Sequence, residues 1–396
     1  MKKTLAAVAV LGAFAGSALA ADVQLYGIVD TGIGYNHVDA DGLGEDTDSF
    51  EMKSGQASGS RWGLKGTEEL GNGLTVGFVL EDGFTSDNGA EKGVMFDRES
   101  SLFLQGGFGK LAMGRIGSIN NGQSSWATVG MINAFGTSDW GGYSAQVGNI
   151  MATAGVWDNM VAYQTPEFAG FKVYAQYGMG NSITDNNSEE NESSSDRYYA
   201  IGATYKNGPF AAYLAVDSIN YATFGPEVAH ADSIDDSLSV TLGGSYDFEV
   251  VKVYLGAQYF DEVNATKFGG VINDIKMANG NDAIGANDKV KGYAISLTGD
   301  APLAGGKAMF GVGYLDAEQA DSFEDFHGGE TFDFKRYVVS VGYDYPFSKR
   351  TDVYAVASYM QDQVEVGSGD SAGVDADPSA YTLYVACVTA SNLISS

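Results

Sequence analysis

Cysteine, histidine and positive charge are all scarce in this 396-residue chain, and each shortage closes a class of explanation. A single cysteine, Cys387, excludes an intrachain disulfide framework. Lys and Arg number 22 against 51 Asp and Glu, a formal net charge of −29, so the basic footprint that nucleic acid requires is missing. The three histidines, His37, His230 and His327, fall in predicted loops far apart, with no second His or Cys at metal-ligand spacing. No run reaches the ~18 apolar residues of a spanning helix, so any membrane span must be β. Gly369-Asp370-Ser371-Ala372-Gly373 fits G-x-S-x-G, but it lies in an acidic loop with no helix after it. No catalytic residue, metal or cofactor is therefore assigned, and the chain reads as a non-enzyme.

Glycine (54), tyrosine (23) and phenylalanine (21) are plentiful, as suits strands with tight bends and aromatic girdles. High acidity can signal disorder, but 44% of the residues are hydrophobic and they alternate. Residues 1–20 read as a secretory signal: Lys2 and Lys3, an apolar stretch Leu5–Ala15, and an A-x-A site at Ala18-Leu19-Ala20. Residues 21–396 are read as one exported β-domain.

The stretch Gly59–Phe84 shows the pattern most clearly. Leu74, Val76, Phe78 and Leu80 alternate with Thr75, Gly77, Val79 and Glu81 after a turn at Gly71-Asn72-Gly73. One face is apolar; the other carries Arg, Lys and Glu. A soluble sandwich and a membrane barrel both fit this hairpin alone. The rest of the chain repeats the pattern from Val23–Tyr35 to Tyr381–Val388, giving sixteen predicted strands. Short turns alternate with long polar loops, the asymmetry of an outer-membrane barrel. The fold expected is therefore all-β, a transmembrane antiparallel up-and-down barrel. Lys172–Tyr177 and Lys252–Tyr259 echo each other, read as apolar residues to lipid and Lys, Tyr and Gln to water.

Particular residues carry a family likeness: Leu25-Tyr26-Gly27 with Asp30, Ser60-Arg61-Trp62-Gly63-Leu64-Lys65-Gly66, Gly106-Gly107-Phe108-Gly109 with Gly114-Arg115, and Tyr343–Thr351 with its Ser348-Lys349-Arg350-Thr351 core. In these the chain resembles the general porins of Gram-negative bacteria, β-proteobacterial branch. The resemblance spans the chain. It implies an outer-membrane homotrimer of sixteen-stranded barrels that passes small hydrophilic solutes and ions. It also implies a third extracellular loop, here Gly117–Gly155, folded into the lumen. The alternative is a channel specific for one sugar or anion. Two departures stand out. The strand after the third loop has Val156-Trp157-Asp158-Asn159 and Gln164 where the family carries basic residues, so any anion preference should be weak. The family ends in an aromatic residue, whereas Cys387–Ser396 contains none and alternates only to Val388, so slower assembly is expected.

Arg61 and Lys65 lie two pleats apart on one face and so enter the same lumen. Arg98 matches the family's next pore-lining arginine. Together they are the candidate selective ring; the plainer reading pairs them with Glu69, Glu81 or Asp30 to keep the wall hydrated. Asp139 is the only acid between Arg115 and Asp158, and is either the opposing charge across the constriction or a solvated loop residue. Arg115 shares parity with Leu111 and Met113 and points outward, where an unpaired mid-membrane Arg costs ~2–4 kcal/mol. The resemblance implies that it shelters at the trimer contact, paired with an acid from a loop. The acidic stretch Asp185–Asp196 reads first as a solvated loop, and second as a bridge to lipopolysaccharide through divalent cations.

Overall fold

The computed structural model of the chain describes residues 22–180, 190–192, 194–222, 235–271, 289–322, 330–368 and 371–394. The predicted signal segment, His230, His327 and half of the acidic stretch 185–196 lie outside the described residues. Among the described residues eighteen strands form one antiparallel sheet. The first six are β1 (Asp22–Asp39), β2 (Thr47–Ser54), β3 (Arg61–Gly71), β4 (Leu74–Gly83), β5 (Glu99–Gly106) and β6 (Gly109–Gly117). The next six are β7 (Val156–Gln164), β8 (Phe171–Gly178), β9 (Arg197–Asn207), β10 (Phe210–Asn220), β11 (Leu238–Asp247) and β12 (Lys252–Asn264). The last are β13 (Lys289–Leu303), β14 (Gly306–Gln319), β15 (Glu330–Pro346), β16 (Thr351–Ser368), β17 (Ser371–Ala376) and β18 (Ser379–Ile394).

These strands make sixteen staves, because two staves are broken in the middle. β2 pairs with Thr31–Val38 of β1 and β3 with Asp22–Ile28, so residues 55–60 interrupt a single stave. β17 and β18 likewise both lie along β16, parted at Asp377 and Pro378; proline has no amide hydrogen for the ladder. β18 then pairs with β1 from Ser379 to Ile394 and closes the barrel. Three expectations are corrected here. Residues 47–54 and 371–376 are strands rather than loops, His37 sits in β1 rather than in a loop, and the final strand runs on past Val388. The reason is common to all three: the ladder is made by backbone groups and continues after side-chain alternation fades.

Side chains sort by face. Val29 and Ile33 are 45% and 48% exposed, while Asp30 on the same strand is fully buried. Leu238 with Leu242, Ile295 with Leu297, and Leu383 with Val385 repeat the exposed apolar positions. An exposed apolar face is what lipid requires. Aromatic bands bound it at both ends. Phe171, Tyr205 and Phe210 cluster near the short turns, with Tyr345 against Phe347. Tyr293, Tyr314 and Tyr337 stack in a row toward the long loops. Such rings sit at headgroup level. The short turns span two to six residues, and the first of them, Gly71-Asn72-Gly73, has φ of 86°, 52° and 75°.

The seam depends on close approach. Tyr384 of β18 lies over Gly32 and Gly34 of β1, and its hydroxyl donates to the Lys53 carbonyl at 2.9 Å. A Cβ at Gly32 would overlap Ala386 and the Tyr384 hydroxyl. Gly32→Val should therefore destabilise the closed barrel by about 1–3 kcal/mol, the usual size for overpacking. Urea titration followed by heat-modifiable gel mobility reads this out. An unchanged midpoint would show that the seam relaxes freely.

Candidate functional site

Between β6 and β7 the chain leaves the ladder and bonds side chains of several other strands. Ile119 N donates to Gln176 of β8 (2.8 Å), Ala134 N to Thr298 of β13 (2.8 Å) and Ala145 N to Ser340 of β15 (2.8 Å). The indole of Trp140 packs edge-on against Tyr354 of β16, and Thr382 of β18 donates to the Gly141 carbonyl at 3.2 Å. The stretch then returns: Ala152 N donates to Gln258 of β12 at 2.7 Å. The echo noted in the sequence acquires a purpose here. Gln176 and Gln258 do not face water. Each carboxamide grips backbone at both its ends, Gln176 through Ile119 N and Gly117 O, Gln258 through Ala152 N and O. They pin the start and the finish of the segment.

The wall of β3 and β4 carries the predicted cations. Arg61 and Arg98 share one carboxylate, Glu81, at 3.4 Å and 2.7 Å. The Tyr26 hydroxyl donates to the same Glu81 at 2.8 Å, and Lys65 Nζ sits 5.2 Å from the Tyr26 ring centroid. Arg61 also donates to the Gly59 carbonyl at 2.8 Å. Three of the four predicted constriction residues thus gather in one patch, with Glu81 among them, as the plainer reading had it. The inner face of β5 and β6 adds groups that the sequence reading passed over. Glu99 accepts from Ser125 N (2.7 Å) and its hydroxyl (2.9 Å). Lys110 lies between the rings of Phe103 and Trp126, 4.2 Å and 4.9 Å from their centroids. A Lys at the start of a strand facing a Trp in the following segment was the available signal.

Asp139 stands elsewhere, exposed in a turn of the inner segment. Its carbonyl accepts from Gly142 N (3.0 Å) and Ser144 Oγ (2.9 Å). The next residues, Trp140 and Gly141, bond Gln56 in the 55–60 interruption. For Arg115 the acid is a correction. It pairs at 2.5 Å with Asp158 of the adjacent strand β7, not with a loop residue. A bulge explains the meeting: register slips between Gly114 and Ile116, where Asn159 takes φ 52°. Arg115 also donates to the Asp97 carbonyl at 2.8 Å. Burial pushes the Asp97 carboxyl above its usual range, against the lowering effect of the Gly83 amide and of Arg98. Among the described residues no three His, Cys, Asp or Glu side chains are arranged to hold a metal ion.

A closed antiparallel barrel with an exposed apolar face, two aromatic bands and buried polar side chains on the other face is a membrane channel of the outer-membrane type. The chain belongs to the Gram-negative porin family, whose profile matches residues 6–364. It is 36% identical over 398 residues to an outer membrane porin protein of Bordetella pertussis, covering 91% of this chain and 94% of that one. Outer membrane porin protein 32 of Delftia acidovorans is 29% identical, covering 92% and 90%. Among solved structures, the anion-selective porin from Comamonas acidovorans superposes with a TM-score of 0.66 at 25% identity, over 94% of this chain and 100% of that one. The chain is thus a porin of the outer membrane.

Proposed function

We propose that the chain forms a general-diffusion channel with a weak preference for anions, built as a homotrimer and exported by cleavage after residue 20. The inner segment 117–155 is the constriction loop. Its hydrogen bonds reach β5, β8, β12, β13, β15 and β18 and Gln56 in the 55–60 interruption. The gathering of Arg61, Lys65 and Arg98 around Glu81 and Tyr26 is the observation that carries the proposal. Asp139 supplies the opposing charge. The anion selectivity named for the Comamonas relative points the same way. Glu81 tempers the patch, so the preference is modest. Arg115, neutralised by Asp158 on the outer face, suits a subunit contact better than bare lipid.

On the outer surface near the long loops, Glu318, Asp333, Glu365 and Asp375 pair in one row across four strands, all exposed. Like charges placed opposite one another are unfavourable alone. Lipopolysaccharide phosphates with shared divalent cations are the partner that this row suits.

The test is reversal potential across a salt gradient in planar bilayers. At physiological salt the Debye length is ≈ 8 Å, so acids at the mouth are screened at the constriction while contact charges are not. Wild type should prefer anions weakly at high salt and lose that preference at low salt. Arg61→Ala/Lys65→Ala/Arg98→Ala should abolish it. Selectivity equal to wild type at both salts would remove the patch from the passage. Saturable block by one sugar or anion would favour the substrate-specific alternative.

A further inference from the structure

Arg336 on β15 and Asp362 on β16 are directly paired positions, 1% and 0% exposed. Arg336 Nε donates to Oδ1 at 2.6 Å and Nη2 to Oδ2 at 2.7 Å, a bidentate fork. Charges this deep are costly unless their remaining donors are used. The remaining nitrogen, Nη1, donates to two carbonyls from two different loops: Asn149 at 2.8 Å, and Gly269.

Each loop is tied further. Asn149 lies in the short helical turn Val147–Ile150, and its amide holds the Gly142 and Ser144 carbonyls, both at 2.8 Å. Ser144 and Gly142 in turn hold the Asp139 carbonyl. Gly269, after β12, donates from its amide to the Gly148 carbonyl at 2.9 Å. Gly270, at φ 106°, packs so closely that a Cβ there would overlap the guanidinium of Arg336. The Arg336 charge is matched and sealed from the lumen, so it does not select ions. What it does is hold two loops to one point.

We propose that Arg336 is a positioning residue, clasping the inner segment to the outer stretch 265–271, so that the outer stretch sets where Asp139 stands in the passage. This rests on the reading of 117–155 as the constriction loop. Anything that displaces 265–271 at the cell surface is then felt at the constriction through one side chain.

Single-channel recording of the purified full-length protein tests this, with folding checked by heat-modifiable mobility. Arg336→Met/Asp362→Leu removes the clasp and leaves no unpaired charge, a kind of exchange that buried ion pairs tolerate. Gly270→Val dislodges Arg336 from the outer side, where an added Cβ meets its guanidinium. Both should raise open-channel current noise several-fold and lower the voltage at which the channel closes. Asp139→Lys should shift the reversal potential while noise stays at the wild-type level. Wild-type noise and closure voltage in folded Gly270→Val, or in the folded double variant, would overturn the clasp alone. An unshifted reversal potential in Asp139→Lys would overturn the constriction reading, and the clasp with it.

Discussion

Glu81→Gln is expected to turn a weak anion preference into a strong one. Glu81 lies between Arg61 and Arg98, 3.4 Å and 2.7 Å away, and all three side chains are largely buried against the wall. With Lys65 beside them, three cations and one carboxylate leave two net positive charges in the patch; the amide leaves three. The exchange keeps the shape, and the amide oxygen can still accept from Tyr26, whose hydroxyl now bonds Glu81 at 2.8 Å. At the dielectric of water a unit charge 4 Å from a passing ion contributes about 1 kcal/mol. The anion-to-cation permeability ratio should therefore rise by up to about fivefold, with little dependence on salt because Glu81 acts at contact. In the Arg61→Ala/Arg98→Ala background the same exchange removes an unpaired carboxylate, so the ratio should rise by a similar factor from a cation-preferring start. A ratio equal to wild type at every salt concentration would mean that permeating ions never approach Glu81.

Much of this was legible in the sequence, for a definite reason. A residue period of two fixes which side chains share a face, so the common face of Arg61 and Lys65, where they meet Glu81 and Tyr26, followed from parity. Arg98 did not, since it precedes β5 and parity with Leu102 would send it outward. It reaches Glu81 because Gly59 and Gly83 present no Cβ: one built at Gly59 would lie 2.9 Å from Arg98 Nη1, and one at Gly83 3.4 Å from its Cδ. Strand ends were cut short wherever the backbone ladder outlasts alternation, as at 47–54. The clasp was beyond reach, because parity shows only that Arg336 faces inward. That its Nη1 meets carbonyls 187 and 67 residues away is a property of the closed barrel.

Asp30→Ala should be among the most destabilising single changes in the barrel. Asp30 is fully buried in β1. One carboxylate oxygen accepts from Ala57 N and Ser58 N, both at 2.8 Å, and the other from the Tyr354 hydroxyl at 2.7 Å. Those amides belong to the 55–60 interruption, where the stave of β2 and β3 has no ladder of its own. The carboxylate stands in for the missing strand. Removing it strands the Ser58 amide and the Tyr354 hydroxyl proton, while Ala57 N keeps the Tyr354 oxygen as acceptor at 3.0 Å; each buried unpaired group costs about 1–3 kcal/mol, so a loss of a few kcal/mol follows. Asp30→Asn should cost less. Its oxygen can still serve the two amides, while its NH2 turns to Tyr354, whose hydroxyl can accept instead. The damage should reach the passage as well as the fold. Gln56 in the same interruption takes Trp140 N at 2.8 Å and Gly141 N at 2.9 Å, and Gly59 holds Arg61 at 2.8 Å, so both flanks of the proposed constriction hang from it. Urea midpoints should fall in the order wild type, Asp30→Asn, Asp30→Ala, and channels that still form in the alanine variant should be noisier. Equal midpoints for the two variants would show that the carboxylate's three bonds contribute nothing beyond its volume.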